Sequence, residues 1–187
     1  MEWNEKVRKL GELLMEVLCE GLGVDKGKLK ELTFTEGRTL VGHYYLYCPQ
    51  PYLTMGIASH TDAGVLTILL QDRTGGLQVK YHDEWVAVKP VPGALVIIVG
   101  DLLQIMSNHG YKSVEHRVSV GKFFSEPRFS IAVFFSTIYG DNMYGPFPEL
   151  VSQEKPALFT HFKYTDYIRR FLTKELDGRS LANYYRL

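Results

Sequence analysis

Two things are scarce in this sequence: cysteine and net charge. Its two cysteines, Cys19 and Cys48, are too few and too unrelated in context to build a disulfide framework. The 21 Lys and Arg are matched by 21 Asp and Glu, so no basic excess draws the chain to a nucleic-acid backbone or an acidic lipid surface. Long hydrophobic runs are missing as well. The longest aliphatic stretch, residues 94–99, falls far short of the roughly 20 residues a membrane helix needs. The opening Met1-Glu2-Trp3-Asn4-Glu5 has no basic segment followed by an apolar one, which excludes a signal peptide. These absences together predict a soluble, reduced, cytoplasmic protein, monomeric, with neither nucleic acid nor membrane as partner.

What is present is core-forming material. The 187 residues are 45% apolar and 22% charged, which suits one compact domain and excludes general disorder. Over the first 24 residues Val7, Leu10, Leu13, Leu14, Val17 and Leu18 recur at spacings of three and four, the pattern of an amphipathic helix, with Gly21 and Gly23 as stop signals. Asp25 can cap a short second helix over 26–32. From about residue 38 to 135 the grammar changes to short β-type runs at 40–47, 65–71, 77–80, 85–88, 94–99, 114–118 and 129–136. Gly75-Gly76, His82-Asp83 and Pro92-Gly93 lie between runs as turns. The connections are too short for βαβ units, so an antiparallel sandwich or barrel is expected. Residues 100–107 leave room for one helical turn, and 164–176 read as a last helix with Tyr167, Ile168, Phe171 and Leu172 on one side. The expected organisation is a helical lead-in over 1–37, a β core over 38–140 and a helical segment over 141–187.

The chemistry-bearing residues come in pairs. In His60-Thr61-Asp62 an extended chain would point imidazole and carboxylate the same way. His116 lies within the β-type run 113–118. Two imidazoles and one carboxylate can occupy one face of an octahedral Fe(II), leaving three positions for a bidentate co-substrate and dioxygen. Arg128-Phe129-Ser130 places a guanidinium and a hydroxyl together, a suitable clamp for a remote carboxylate. Each pair alone is weak, since an H-x-D or R-x-S arises readily by chance. His82 and Glu84 form a rival His-x-carboxylate pair, but they read as a solvated hairpin tip. His43 reads as structural or pocket-lining, His109 as a turn residue and His161 as a surface or capping residue ahead of the last helix.

Taken in order, several blocks resemble the plant-type 2-oxoglutarate- and Fe(II)-dependent dioxygenases. They are His43-Tyr44-Tyr45 followed by Cys48-Pro49-Gln50-Pro51, His60-Thr61-Asp62 running into Leu66-Thr67-Ile68, and Gly76-Leu77-Gln78-Val79. Pro92-Gly93-Ala94-Leu95, Gly100-Asp101-Leu102-Leu103-Gln104, Ser113-Val114-Glu115-His116-Arg117-Val118 and Arg128-Phe129-Ser130 continue the series. The end of the chain, from Tyr144-Gly145-Pro146 onward, looks most like the branch of 1-aminocyclopropane-1-carboxylate oxidase homologues and deacetoxyvindoline hydroxylase.

The resemblance implies a mainly β fold, the double-stranded β-helix (a cupin-like jelly roll), with flanking α-helices. It implies that His60, Asp62 and His116 ligate Fe(II), and that Arg128 and Ser130 hold the distal carboxylate of 2-oxoglutarate, with Tyr45 also reaching it. Phe134 matches a position lining the organic substrate pocket, and Tyr47, Ile138 and Tyr139 suggest an aromatic-sized pocket. The implied activity is hydroxylation or desaturation of a small metabolite of plant specialised metabolism, with dioxygen consumed, succinate and CO2 released, and ascorbate as a candidate reductant. Two rivals stand beside it: an ascorbate-dependent aminocyclopropane-carboxylate oxidase, and a truncated, non-catalytic metal-binding barrel. Three features depart from the family pattern. His43 stands where many members have Asn, and Leu46-Tyr47 replaces Pro-Pro. Members also carry a substantial N-terminal region ahead of the point where this chain begins, so bare apolar surface is expected.

Overall fold

The computed structural model describes residues 2–50, 53–120, 126–138, 140–173 and 180–187. Helix α1 (Glu2–Leu22) buries Val7, Gly11, Met15 and Cys19, a spacing of four that keeps them on one face. Leu13 and Val17, expected on the buried side, are more than half exposed. Each lies two positions from Met15, about 160° around the helix. The short helix α2 (Lys28–Glu31) leads into the strands.

Strands β1 (Gly37–Tyr45), β2 (Met55–His60), β3 (Leu66–Gln71), β4 (Leu77–Tyr81), β5 (Glu84–Ala87) and β6 (Val96–Val99) follow in order. Then come α3 (Asp101–Met106), β7 (His116–Ser119) and β8 (Arg128–Ser136). One antiparallel sheet has the order β1-β8-β3-β6 and the other β2-β7-β4-β5. Residues of both sheets line a single cleft between them. This is the jelly roll, or double-stranded β-helix, with helices at its flanks.

The pleat divides β8 cleanly. Arg128, Ser130, Ala132 and Phe134 face the cleft, whereas Val133 and Phe135 join the core that includes Met15 and Cys19 of α1. Gly11 marks the closest approach of helix to sheet: a Cβ there would meet the Phe135 ring at 2.5 Å. Each large side chain buried in this layer contributes about 1.5–3 kcal/mol. Beyond the reach of α1 the same outer face is bare, and Leu40, Tyr44, Leu70, Ile97, Phe129 and Ile131 are between 36% and 55% exposed.

Three elements were not legible in the sequence. Strand β2 falls between the β-type runs read from the sequence, and the two-residue strands β9 (Met143–Tyr144) and β10 (Phe162–Lys163) pair near the end of the chain. Helix α4 (Tyr164–Thr173) starts where expected; the expected continuation to Leu176 lies outside the described residues. Its Tyr164 and Tyr167 are buried, while Leu172 is 74% exposed. Among the described residues no helix is long and apolar enough to cross a membrane.

Candidate metal centre

The last residue of β2 is His60, and the first of β7 is His116. They are direct partners across the β2–β7 ladder, so their rings stand side by side with centroids 4.3 Å apart. The Nδ1 of His60 lies 2.8 Å from the Ala58 carbonyl, and that of His116 lies 3.2 Å from the Val114 carbonyl. A carbonyl only accepts, so Nδ1 carries a proton in each ring, which leaves Nε2 as the atom that would ligate a metal.

Both Nε2 atoms face Asp62. Its Oδ1 lies 3.6 Å from His116 Nε2 and 3.9 Å from His60 Nε2. The carboxylate is 3% exposed, and its Oδ2 accepts a hydrogen bond of 2.6 Å from the Thr67 hydroxyl. Asp62 does not reach this point by strand pleating, because β2 has already ended at His60. It arrives on the irregular link between β2 and β3. One donor atom from each of the three residues lies within 4.8 Å of the others. Two neutral imidazoles and one carboxylate, with one face open to a cleft, fit a divalent first-row metal such as Fe(II).

The opposing sheet supplies a cation. Tyr45 pairs with Arg128, and His43 with Ser130, across the β1–β8 ladder. Arg128 is 1% exposed. Its guanidinium donates to the Gly75 carbonyl at 2.7 Å, to Ser130 Oγ at 2.8 Å and to Gln71 Oε1 at 3.1 Å. Its charge sits 5.0 Å from the centre of the Tyr45 ring. Burial draws the guanidinium pKa down, opposed by Tyr45 and Asp72, yet arginine keeps its charge in such settings. All three acceptors are neutral, so a buried cation faces the cleft with no carboxylate bonded to it among the described residues. Such a group is strongly disposed to take an anion.

His43 stacks on Tyr45, with centroids 5.8 Å apart. Burial and the Arg128 charge push its pKa down. The cleft that joins these groups has a cavity volume of about 60 Å³. Ile57, Leu69, Leu77, Val118 and Phe134 form its apolar wall.

Residues 37–137 match the 2OG-Fe(II) oxygenase superfamily. The chain belongs to that family. Over its whole length it is 46% identical to 1-aminocyclopropane-1-carboxylate oxidase homolog 1 of Arabidopsis thaliana, covering 51% of that protein. It is 44% identical, again over its whole length, to deacetoxyvindoline 4-hydroxylase of Catharanthus roseus, covering 48% of it. Among solved structures it resembles JOX2, crystallised with 2OG, Fe and JA, with a TM-score of 0.90, 38% identity and coverage of 100% of this chain and 55% of that one. The rice dioxygenase for auxin oxidation gives a TM-score of 0.81 at 33% identity, covering 98% of this chain and 61% of the other. The chain thus spans about half the length of the relatives it matches.

Against the 2OG-Fe(II) oxygenase pattern, the structure brings His60, Asp62 and His116 into one group and sets Arg128, Ser130, Tyr45 and Phe134 on the wall of the same cleft. Tyr47 and Ile138 are not brought in: they are 60% and 55% exposed and lie off the cleft wall. Tyr139 lies outside the described residues. His82 occupies the turn between β4 and β5 with a φ of 53°, and His109 a turn with a φ of 68°. His161 is exposed ahead of α4. Thr67 and Gln71 were not singled out from the sequence. Both belong to an apolar-looking strand, and only the ladder pairing of Gln71 with Ser130 and the reach of Thr67 to Asp62 give them roles.

Proposed function

We propose that this chain forms the core of an Fe(II)- and 2-oxoglutarate-dependent dioxygenase that hydroxylates or desaturates a small organic metabolite and releases succinate and CO2. The observation that carries this reading is the buried guanidinium of Arg128, which among the described residues bonds to no carboxylate and faces the same cleft as the His60–Asp62–His116 group. A metal chelated by one end of a dicarboxylic acid and a cation awaiting the other end are the two halves of a 2-oxoglutarate site. Crystals of JOX2 with 2OG and Fe support the assignment.

In this reading His60 and His116 bind Fe(II) through Nε2 and Asp62 binds through Oδ1. The metal, when bound, couples decarboxylation of 2-oxoglutarate to oxidation of a C–H bond, a step the protein side chains cannot perform themselves. The chain's own residues position and protect. Thr67 holds the Asp62 carboxylate by its outer oxygen. Arg128, with Ser130 and Tyr45, anchors and orients the distal carboxylate of the co-substrate. Leu69, Leu77 and Val118 keep the site dry, and Phe134 presents an aromatic surface to the organic substrate. The relation to deacetoxyvindoline 4-hydroxylase supports a substrate from specialised metabolism.

The test is succinate. Incubated with Fe(II), ascorbate, dioxygen and 2-oxoglutarate, the protein is expected to form succinate slowly even without its organic substrate, and Asp62→Ala to form none above background. Oxidation of aminocyclopropane-carboxylate with no succinate would favour the ascorbate-dependent reading. Fe(II) binding without turnover of either compound would favour a non-catalytic barrel.

A further inference from the structure

The link that carries Asp62 belongs to neither sheet: β2 ends at His60 and β3 begins at Leu66. Ladder pairing therefore does not set its shape before Val65, whose amide donates to the Phe135 carbonyl of β8 at 2.9 Å. Each of its five residues is held from outside instead. The Thr61 hydroxyl donates to Asp101 Oδ2 at 2.9 Å. The Asp62 carbonyl accepts from the Asp101 amide at 2.7 Å. The Ala63 carbonyl accepts from the Tyr167 hydroxyl at 2.7 Å. The Gly64 and Val65 carbonyls accept from Leu102 and Gly100 amides at 3.2 and 3.0 Å.

Asp101 acts on both sides of this link. Its side chain is 0% exposed and turns its remaining capacity to the C-terminal segment, accepting from Ser180 Oγ at 2.9 Å and the Leu181 amide at 2.7 Å. A carboxylate withdrawn from water this completely is costly. It is offset here by neutral donors remote in sequence, among them Thr61, adjacent to both His60 and Asp62, and Ser180 with Leu181 near the C-terminus. Nothing in the metal group or the cleft wall requires Asp101 itself.

We propose that Asp101 is a positioning residue for the metal centre, tying the Asp62 link to the C-terminal segment at Ser180 and Leu181. The inference rests on the reading of His60, Asp62 and His116 as metal ligands. Removing groups that orient metal ligands typically weakens metal binding by about 10- to 100-fold, and Asp101 holds the backbone from which one ligand projects. Its charge is not the essential feature. In Asp101→Asn the amide carbonyl can occupy the place of Oδ2 and accept from Thr61 and Leu181, while the NH2 donates to Ser180 Oγ.

The experiment is Mn(II) titration of the metal-free full chain, followed by electron paramagnetic resonance at a temperature well below thermal unfolding, with the melting midpoint of each metal-free protein recorded separately. Asp101→Ala is expected to weaken Mn(II) binding by about 10-fold or more, and Asp101→Asn to restore it to within about threefold of the unmodified chain. Ser180→Ala, which leaves the link and Asp101 in place, is expected to weaken binding by a few-fold, and it decides the matter if Asp101→Ala does not fold. Lowered melting midpoints with unchanged Mn(II) affinity in the folded variants would make Asp101 a stability residue only and overturn the proposal. Equal losses in Asp101→Asn and Asp101→Ala would overturn it too, since charge rather than hydrogen bonding would then matter. Failure of the unmodified chain to bind Mn(II) would instead refute the metal centre on which the proposal rests.

Discussion

Thr67 holds Asp62 by one oxygen only. The hydroxyl donates to Oδ2 at 2.6 Å, which leaves Oδ1 directed at the Nε2 atoms of His60 and His116. The division of labour within one carboxylate makes a sharp expectation. Thr67→Val keeps the shape of the side chain but leaves a buried oxygen without its donor, at a cost of about 1–3 kcal/mol. Divalent-metal affinity should fall by about 10-fold, and Thr67→Ser should recover most of it. Calorimetric metal titration of the three proteins checks this.

Arg128 should govern co-substrate affinity rather than the metal. Truncating one member of a buried, hydrogen-bonded charge pair costs about 2–5 kcal/mol, so Arg128→Ala should raise the half-saturating 2-oxoglutarate concentration by about 30-fold or more. Arg128→Lys should recover little, because the ammonium lacks the fork that reaches Gly75, Ser130 and Gln71 together. Succinate formation across a 2-oxoglutarate series reads both.

Acid should weaken the fold through two histidines. Burial pushes the pKa of both His43 and His109 down in the folded chain, with Arg128 adding to the effect at His43 and Arg186 and Lys112 at His109. The unfolded chain binds those protons near pH 6.5, so it holds more protons than the folded one just below that value. Stability from these groups is therefore present above about pH 6.5 and is lost as pH falls through their lowered values. Urea unfolding between pH 7 and pH 5 should show this slope, and His43→Asn should reduce it. An unchanged slope in that variant would exclude His43 as a contributor.

Gly100 is expected to be intolerant of any side chain. A Cβ there would collide with the Gly64 carbonyl and come within 3.0 Å of the Asp62 carbonyl, both on the link that presents Asp62. Gly100→Ala should cost about 1–3 kcal/mol, or roughly 2–4 °C of melting temperature per kcal/mol, and weaken metal binding at the same time. Gly42→Ala, where no atom lies within 4 Å of the new carbon, serves as the control.

Much of this fold was legible because burial on one face leaves a pattern. The strand limits of β3, β4 and β8 follow their apolar runs closely. Strand β2 left none: Met-Gly-Ile-Ala-Ser-His alternates neither in polarity nor in burial, and its pairing with β7 shifts register twice. The metal group was legible as three residues in a family order, and the Arg128–Ser130 pair as two positions on one strand face. The geometry behind Asp62 was not. The sequence suggested an i, i+2 pleat, whereas the position comes from Asp101, Tyr167 and Gly100, residues about 40 to 105 positions away whose roles exist only after the chain has closed on itself. Tyr47 and Ile138 are 60% and 55% exposed and lie off the cleft wall; aromatic or apolar identity alone does not say which side of a barrel rim a residue occupies.

The seat of Cys19, on the buried face of α1 beside Leu29 of α2 and 0% exposed, gives the protein an internal clock. Burial also raises the thiol's pKa, so both access and ionisation oppose alkylation until the α1–α2 contact opens. Cys48, only partly covered, is open to reagent from the start. The slower of two labelling phases therefore times the parting of α1 from α2, a step that can be followed without any ligand, dye or engineered probe.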